Sequence, residues 1–180
     1  MQRTALAAAL LIALPATATA QSPDPGVDGA VLSVTGKVLD LTLTISDLDG
    51  STSDVDRGDS VEVQLAADVF FAFGSADLTP AATGVLAALA QRLQAEATGT
   101  VAVVGHTDSV GDDASNLTLS QRRADTVVAA LRPQTPGLVL TAKGAGETQP
   151  VAPNALPDGA DDPAGRQRNR RVAVGFDKKG

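Results

Sequence analysis

Residues 100–133, TVAVVGHTDSVGDDASNLTLSQRRADTVVAALRP, decide how the chain is read. The segment opens with a continuous apolar run, Thr100 to Val104, of the kind found in a strand covered on both faces. Gly105 closes that run. A polar loop follows, and then apolar residues at helical spacing from near Ser115 or Asn116 to Arg132, where Pro133 stops the helix. Strand, loop and helix in this order put the loop at the carboxyl end of a strand, where ligand sites of α/β sheets gather. The loop carries Asp108 and the helix carries Arg123. A carboxylate accepts hydrogen bonds from an ammonium group, and a guanidinium offers a two-pronged donor fork to another carboxylate. Side by side they suit a zwitterion such as the free end of an amino acid. A structural ion pair between Asp108 and Arg123 is the alternative, and spacing alone leaves both readings open.

Helical phase separates the two adjacent arginines. At about 100° per residue from Leu119, the residues Val127, Leu131, Ala124 and Val128 centre near 100°, Arg123 falls at about 40° and Arg122 at about 300°. Arg123 is therefore expected at the border of the buried face, and Arg122 in water.

Outward from this segment the elements alternate. Leu39, Leu41, Leu43 and Ile45 alternate with polar residues as a first strand. Val61, Val63 and Leu65 alternate through residues 60–66 as a second, and the turn-rich residues 47–59 between them read as the loop of a hairpin. Residues 69–73, apolar throughout, read as a short central strand. Thr79-Pro80 starts a helix, with Thr79 as N-cap and Pro80 at the first position. Val85, Leu86, Leu89 and Leu93 continue it to about Ala95. Residues 138–141 are a further strand, residues 144–165 a long Pro/Gly/Asp loop, and Val172, Val174 and Phe176 a last strand. The fold class is α+β, with two helices on one sheet.

Composition narrows the function. The 180 residues are 43 % hydrophobic but only 2 % aromatic, all four aromatics being Phe, which argues against stacking platforms for single-stranded nucleic acid. A net charge of −7 argues against phosphate backbones and anionic lipid. There is no Cys, hence no disulfide, thiol nucleophile or thiolate metal site. His106 is the one histidine, so a histidine metal cluster is excluded, and beside Asp108 and Ser109 on a strand end it is poorly placed for a hydrolase relay. The acidic residues 54–59 lack the ligand spacing of a calcium loop. No cofactor, metal or enzymatic activity is expected.

Residues 1–20 read as a signal peptide, with Arg3 as n-region, an apolar stretch of about ten residues against the roughly 20 needed to span a bilayer, and Ala18-Thr19-Ala20 as cleavage site. No Cys follows for a lipid anchor. The mature chain is expected to be exported to the periplasm or cell envelope without a transmembrane segment. Residues 21–30 then form a flexible lead-in, 31–66 the hairpin region, 67–176 the main domain and 177–180 a tail.

Five separated motifs occur in order within that main domain: VFFAFGSADLTPAA (residues 69–82), GHTD (105–108), NLTLSQRRA (116–124), GAGETQPVAPN (144–154) and GRQRNRRV (165–172). Together they resemble the C-terminal domain of the OmpA-like family, shared with Pal and MotB. The resemblance implies a βαβαβ-β sandwich of two helices on one mixed sheet, here preceded by the hairpin. It also implies noncovalent binding of peptidoglycan through the diaminopimelate of its stem peptide. The family's roles fall on Asp108 for the ligand's ammonium and Arg123 for its carboxylate. Asn116, Thr107, Gly74 and Arg170 complete the implied site, Gly74 through its backbone N–H. Family members often carry acids where this chain has Ala72 and Gly74. Arg170 and Arg171 stand between a structural role and ligand contact. A second reading gives residues 31–66 the work of a protein-interaction or self-association module, with the OmpA-like domain as tether.

Overall fold

In the computed structural model, residues 51–180 are described in full and residues 42–44 by their backbone. The expected signal peptide, lead-in and most of the first hairpin strand lie outside the described residues.

Alternation over Ser60–Ala66 produces β3, whose Val61, Val63 and Leu65 point into the core. Before it come β1 (Thr42–Thr44) and β2 (Thr52–Asp56). The expected hairpin joined the first strand directly to residues 60–66. Instead β2 lies between them, pairing antiparallel with both β1 and β3. Sequence reading hid β2 because its inward positions are polar. Asp54 is buried there and bonded to Arg92, whose guanidinium also lies 6.0 Å from the centre of the Phe176 ring. A buried acid with its own cation replaces the apolar side chain that strand patterning looks for.

The run 69–73 is also corrected. Residues Ala67–Phe70 form one helical turn, α1, and Phe71 makes only an isolated bridge to Leu78. A short, wholly apolar run fits a buried turn as well as a strand. Phe70 and Phe71 fill the core from this turn.

The two long helices arise as their caps dictate. In α2 (Pro80–Glu96) Thr79 accepts from Ala82 N at 3.2 Å, and in α3 (Asp113–Leu131) Asp112 accepts from Ser115 N at 2.9 Å. Strands β4 (Ala97–His106), β5 (Val139–Gly146) and β6 (Arg171–Lys178) complete the described sheet, in the order β1-β2-β3-β6-β4-β5. Only β4 and β5 run parallel, so the sheet is mixed. Leu86, Leu89 and Leu93 of α2 join Val127, Val128 and Leu131 of α3 over Val101, Val103, Val172 and Val174, so both helices cover one face. The fold is the expected α+β sandwich. The loop after β5 holds an unforeseen helix, α4 (Pro163–Asn169), capped by Asp162 with Pro163 at its first position. Among the described residues no helix is long and apolar enough to cross a membrane.

Helix α3 lies unusually close to the sheet. A Cβ on Gly105 would collide with the Ser120 carbonyl, and one on Gly144 would sit 2.6 Å from Gln121 N and 2.8 Å from Leu117 O. The contact is polar as well as tight: Gly144 N donates to Gln121 Oε1 at 2.7 Å and Gly146 N to Ser120 Oγ at 2.9 Å. Gly105→Ala is therefore expected to lower stability by about 1–3 kcal/mol or more through overpacking. Gly84→Ala, in the middle of α2 with open space around it, is expected to raise it by about 0.5–1 kcal/mol. Denaturant midpoints at unchanged m-value measure both.

His106 ends β4 only 3 % exposed, with Nδ1 unpartnered. Burial, and then the charge of Arg171, push its pKa down to about 4, against a weaker pull from Glu62. The unfolded chain takes up this proton near pH 6.5 and the folded one only near 4. The unfolded state therefore binds more protons between those values, and stability falls as pH drops through that window, by up to about 3 kcal/mol. His106→Gln should flatten this slope relative to the parent protein. The imidazole resonances of the single histidine should stay in the neutral position until about pH 4.

Candidate functional site

A cleft of about 560 Å³ opens where the β4–α3 loop, α1, α3 and α4 meet. Its acidic pole is Asp108, 9 % exposed. Asp108 Oδ1 accepts the backbone N–H of Val110 at 3.1 Å, which folds the loop back on itself. Asp108 Oδ2 accepts from Arg170 Nη1 at 2.7 Å and lies 3.7 Å from Arg166 Nε. Arg170 also grips Asp68 of α1 with a fork, Nε to Oδ1 at 2.9 Å and Nη2 to Oδ2 at 2.6 Å. The hydrogen bonds to Asp68, and then to Asp108, raise the pKa of Arg170 above its ordinary value. Asp68, Asp108 and Asp161 face the two guanidiniums of Arg170 and Arg166, so this pole carries a net charge of one negative unit.

The basic pole is Arg123, 5 % exposed, while Arg122 is exposed, as helical phase requires. Arg123 Nε donates to the Ser75 carbonyl at 2.9 Å, and the guanidinium lies 5.2 Å from the centre of the Phe71 ring. Its terminal nitrogens meet no carboxylate among the described residues. The ion pair between Asp108 and Arg123 left open by the sequence does not form, because Arg170 takes the place of Arg123 beside Asp108. Burial lowers the pKa of Arg123, opposed by the charge of Asp68, yet it remains a cation at neutral pH.

The other expected residues fall in or beside the same cleft. Asn116 works as a strut: its Nδ2 lies 2.8 Å from Glu147 Oε2, 3.2 Å from Val110 O and 3.4 Å from Asp108 O, tying α3 to the loop that presents Asp108. Thr107 lines the cleft with a buried Oγ1 that has no partner, and its N–H is bonded to Gly146 O at 2.9 Å. Gly74 lines the rim at φ +65°, a conformation that favours glycine. Beside it Phe73 is fully exposed. Arg171 stays out of the cleft. It and Asn169 bind the loop before α4: Asn169 accepts from Val151 N and Ala152 N, and Arg171 reaches Gln149 O at 3.2 Å.

Sequence reading missed Asp68 and Arg166. Asp68 sits in the helical turn α1, just before the run 69–73 that the pattern predicts as a strand. Arg166 and Arg170 are four residues apart, the spacing of one helix face, and the start signal Asp162-Pro163 would have exposed them. Among the described residues no cluster of acids or histidine could hold a metal ion, and no hydroxyl is hydrogen-bonded to His106.

Known proteins resemble this chain in sequence or in fold. A 77-residue stretch is 56 % identical to part of the Photosystem I P700 chlorophyll a apoprotein A2 of Gloeobacter violaceus, covering 41 % of this chain and 9 % of that protein. Outer membrane protein A of Bordetella avium is 37 % identical over 117 residues, covering 64 % of this chain and 57 % of the relative. The chain thus spans little more than half of one of these relatives and a small part of the other. Among solved structures, the cell wall anchor of the T6SS from Pseudomonas aeruginosa superposes with a TM-score of 0.59 at 29 % identity, covering 73 % of this chain and 90 % of that one. The sequence pattern of the OmpA family matches residues 70–163, over half of the chain, which therefore belongs to the OmpA family.

Proposed function

We propose that the cleft binds peptidoglycan noncovalently by holding the zwitterionic end of the diaminopimelate in its stem peptide, and so tethers this envelope-associated protein to the cell wall. The observation that carries the reading is Arg123: a buried guanidinium without a carboxylate, facing an open cleft whose opposite pole is negative. A buried charge left without a counter-charge is costly, and a ligand carboxylate relieves that cost while the ligand ammonium goes to Asp108 and Asp68. Thr107 lines the same cleft with its hydroxyl buried and unpartnered. The solved cell wall anchor with the same fold supports the assignment. The protein acts as a binder and not as an enzyme.

The second reading, interaction or self-association through residues 31–66, narrows to the sheet margin. Both β2 and β3 are paired on either side, which leaves the β1 edge among the described strands of that region.

Charge-assisted hydrogen bonds contribute about 1.5–3 kcal/mol each. After ordering costs, a single stem peptide is expected to bind with micromolar to millimolar Kd. Repetition of the ligand along a polymer raises retention well above that. Purified cell wall should therefore carry down the parent protein, and folded Asp108→Ala and Arg123→Ala variants should stay in solution. A sharper measure compares a stem peptide containing diaminopimelate with one containing lysine, which lacks the second carboxylate. The parent protein should favour the former by roughly 10- to 100-fold, and Arg123→Gln should bind the two alike. Equal preference in the parent and the variant would remove Arg123 from the site.

A further inference from the structure

A second cleft, of about 480 Å³, lies on the other side of Arg170. It is built on the face of β2 and β3 turned away from the helices, where Ser53 and Gln64 stand opposite each other, and on the α4–β6 junction. Three arginines line it and no carboxylate does. Arg170 is already neutralised by Asp68 and Asp108. The other two are not. Arg168 is exposed and makes no hydrogen bond or ion pair among the described residues. Arg171 is only 6 % exposed and is held by neutral carbonyls, Nη1 to Asn169 O at 3.4 Å and Nη2 to Gln149 O at 3.2 Å, with Nε unpartnered. The nearest acid that acts on it, Glu62, is engaged by Arg57 at 3.6 Å and by Gln64 Nε2 at 3.0 Å. In a chain of net charge −7, three arginines against the two carboxylates that hold Arg170 leave a local surplus of about one positive unit at this recess.

The remaining walls describe the rest of the ligand. Val55, Ala66 and Val151 supply a small apolar surface, and the side chains of Ser53 and Gln167 bring hydrogen-bonding groups to the same recess. We propose that this cleft binds the terminal carboxylate of a short peptide whose last side chain is small and apolar, with Arg168 and Arg171 as the cationic pair. A phosphate-bearing lipid surface fits less well, since the whole chain's negative charge opposes an anionic membrane while a single small peptide meets only the local field. The inference does not depend on the zwitterion reading of the first cleft, which uses different side chains.

The test uses the full chain and N-acetylated dialanine, which has one carboxylate and no ammonium. The arginine Nε–H resonances are followed by NMR during titration. Those of Arg168 and Arg171 are expected to shift saturably, with Kd around millimolar. Arg168→Gln, an exposed substitution that spares the fold, should weaken binding about tenfold. Arg123→Gln, which alters the first cleft and lies outside the lining of the second, should leave it unchanged, which separates this cleft from the first. The amide of the same dipeptide should bind at least tenfold more weakly. The proposal is overturned if no saturable shift occurs, if the amide binds equally, or if Arg168→Gln has no effect. Tighter binding of inorganic phosphate, or phosphatidylglycerol vesicles that retain the parent protein and release Arg168→Gln, would also overturn it by making the ligand a phosphate.

Discussion

The approach of α3 to the ends of β4 and β5 is the constraint on which the rest of the molecule depends. It exists because Gly105 and Gly144 lack side chains at the contact and because Ser120 and Gln121 answer backbone N–H groups of the strand below. With the helix that low, Asn116 reaches the loop that β4 feeds, and Arg123, two turns further on, reaches Ser75 and Phe71 in the segment that follows α1. A side chain on either glycine would lift the helix and move both residues away from Asp108 together. Packing and recognition are thus set by one contact.

Electrostatics then divide the cleft. The chain could have neutralised Arg123 with Asp108, and the two lie in the same recess. It neutralises Arg170 instead, using Asp68 and Asp108 at once, and Arg166 takes Asp161. The outcome is an acidic pole held in place, with Asp108 buried and Asp68 at its exposed edge, and a basic pole left open. Preorganised, oppositely charged groups of this kind lose little on binding, because their side chains are ordered beforehand. His106 stays neutral at pH 7 for a related reason: burial penalises its charge, and the charge of Arg171 adds to the penalty.

Much of this was legible in the string. Caps such as Thr79-Pro80 and the stop at Pro133 are local, so α2 and the end of α3 could be read off directly. The choice of Arg123 over Arg122 needed only the geometry of a helix. What escaped was held by tertiary contacts. Strand β2 presents buried polar side chains because Arg92, nearly forty residues on, meets Asp54. The run 69–73 that follows Asp68 is apolar throughout, so periodicity could not tell a helical turn there from a strand. Helix α4 is short and surrounded by Pro, Gly and Asp, and with it Arg166 was overlooked. The partner of Asp108 was the largest surprise: Arg170 lies 62 positions away, and no local spacing points to it.

Arg170 also joins the two clefts. Its guanidinium closes the acidic pole of one, and its side chain forms a wall of the other. It stands just before Arg171, whose side chain turns to the face of the sheet opposite the helices, because Val172, Val174 and Phe176 of the same strand occupy the core. The arginine-rich run at the end of α4 is therefore a junction from which charge is sent to both sides of the fold. The two carboxylates at Arg170 make this possible, since they absorb the one arginine that both recesses share and leave Arg123 to the first and Arg168 and Arg171 to the second. Without Asp68, Arg170 and Asp108 would cancel one for one, the acidic pole would lose its net negative charge, and the separation of poles in the first cleft would be lost.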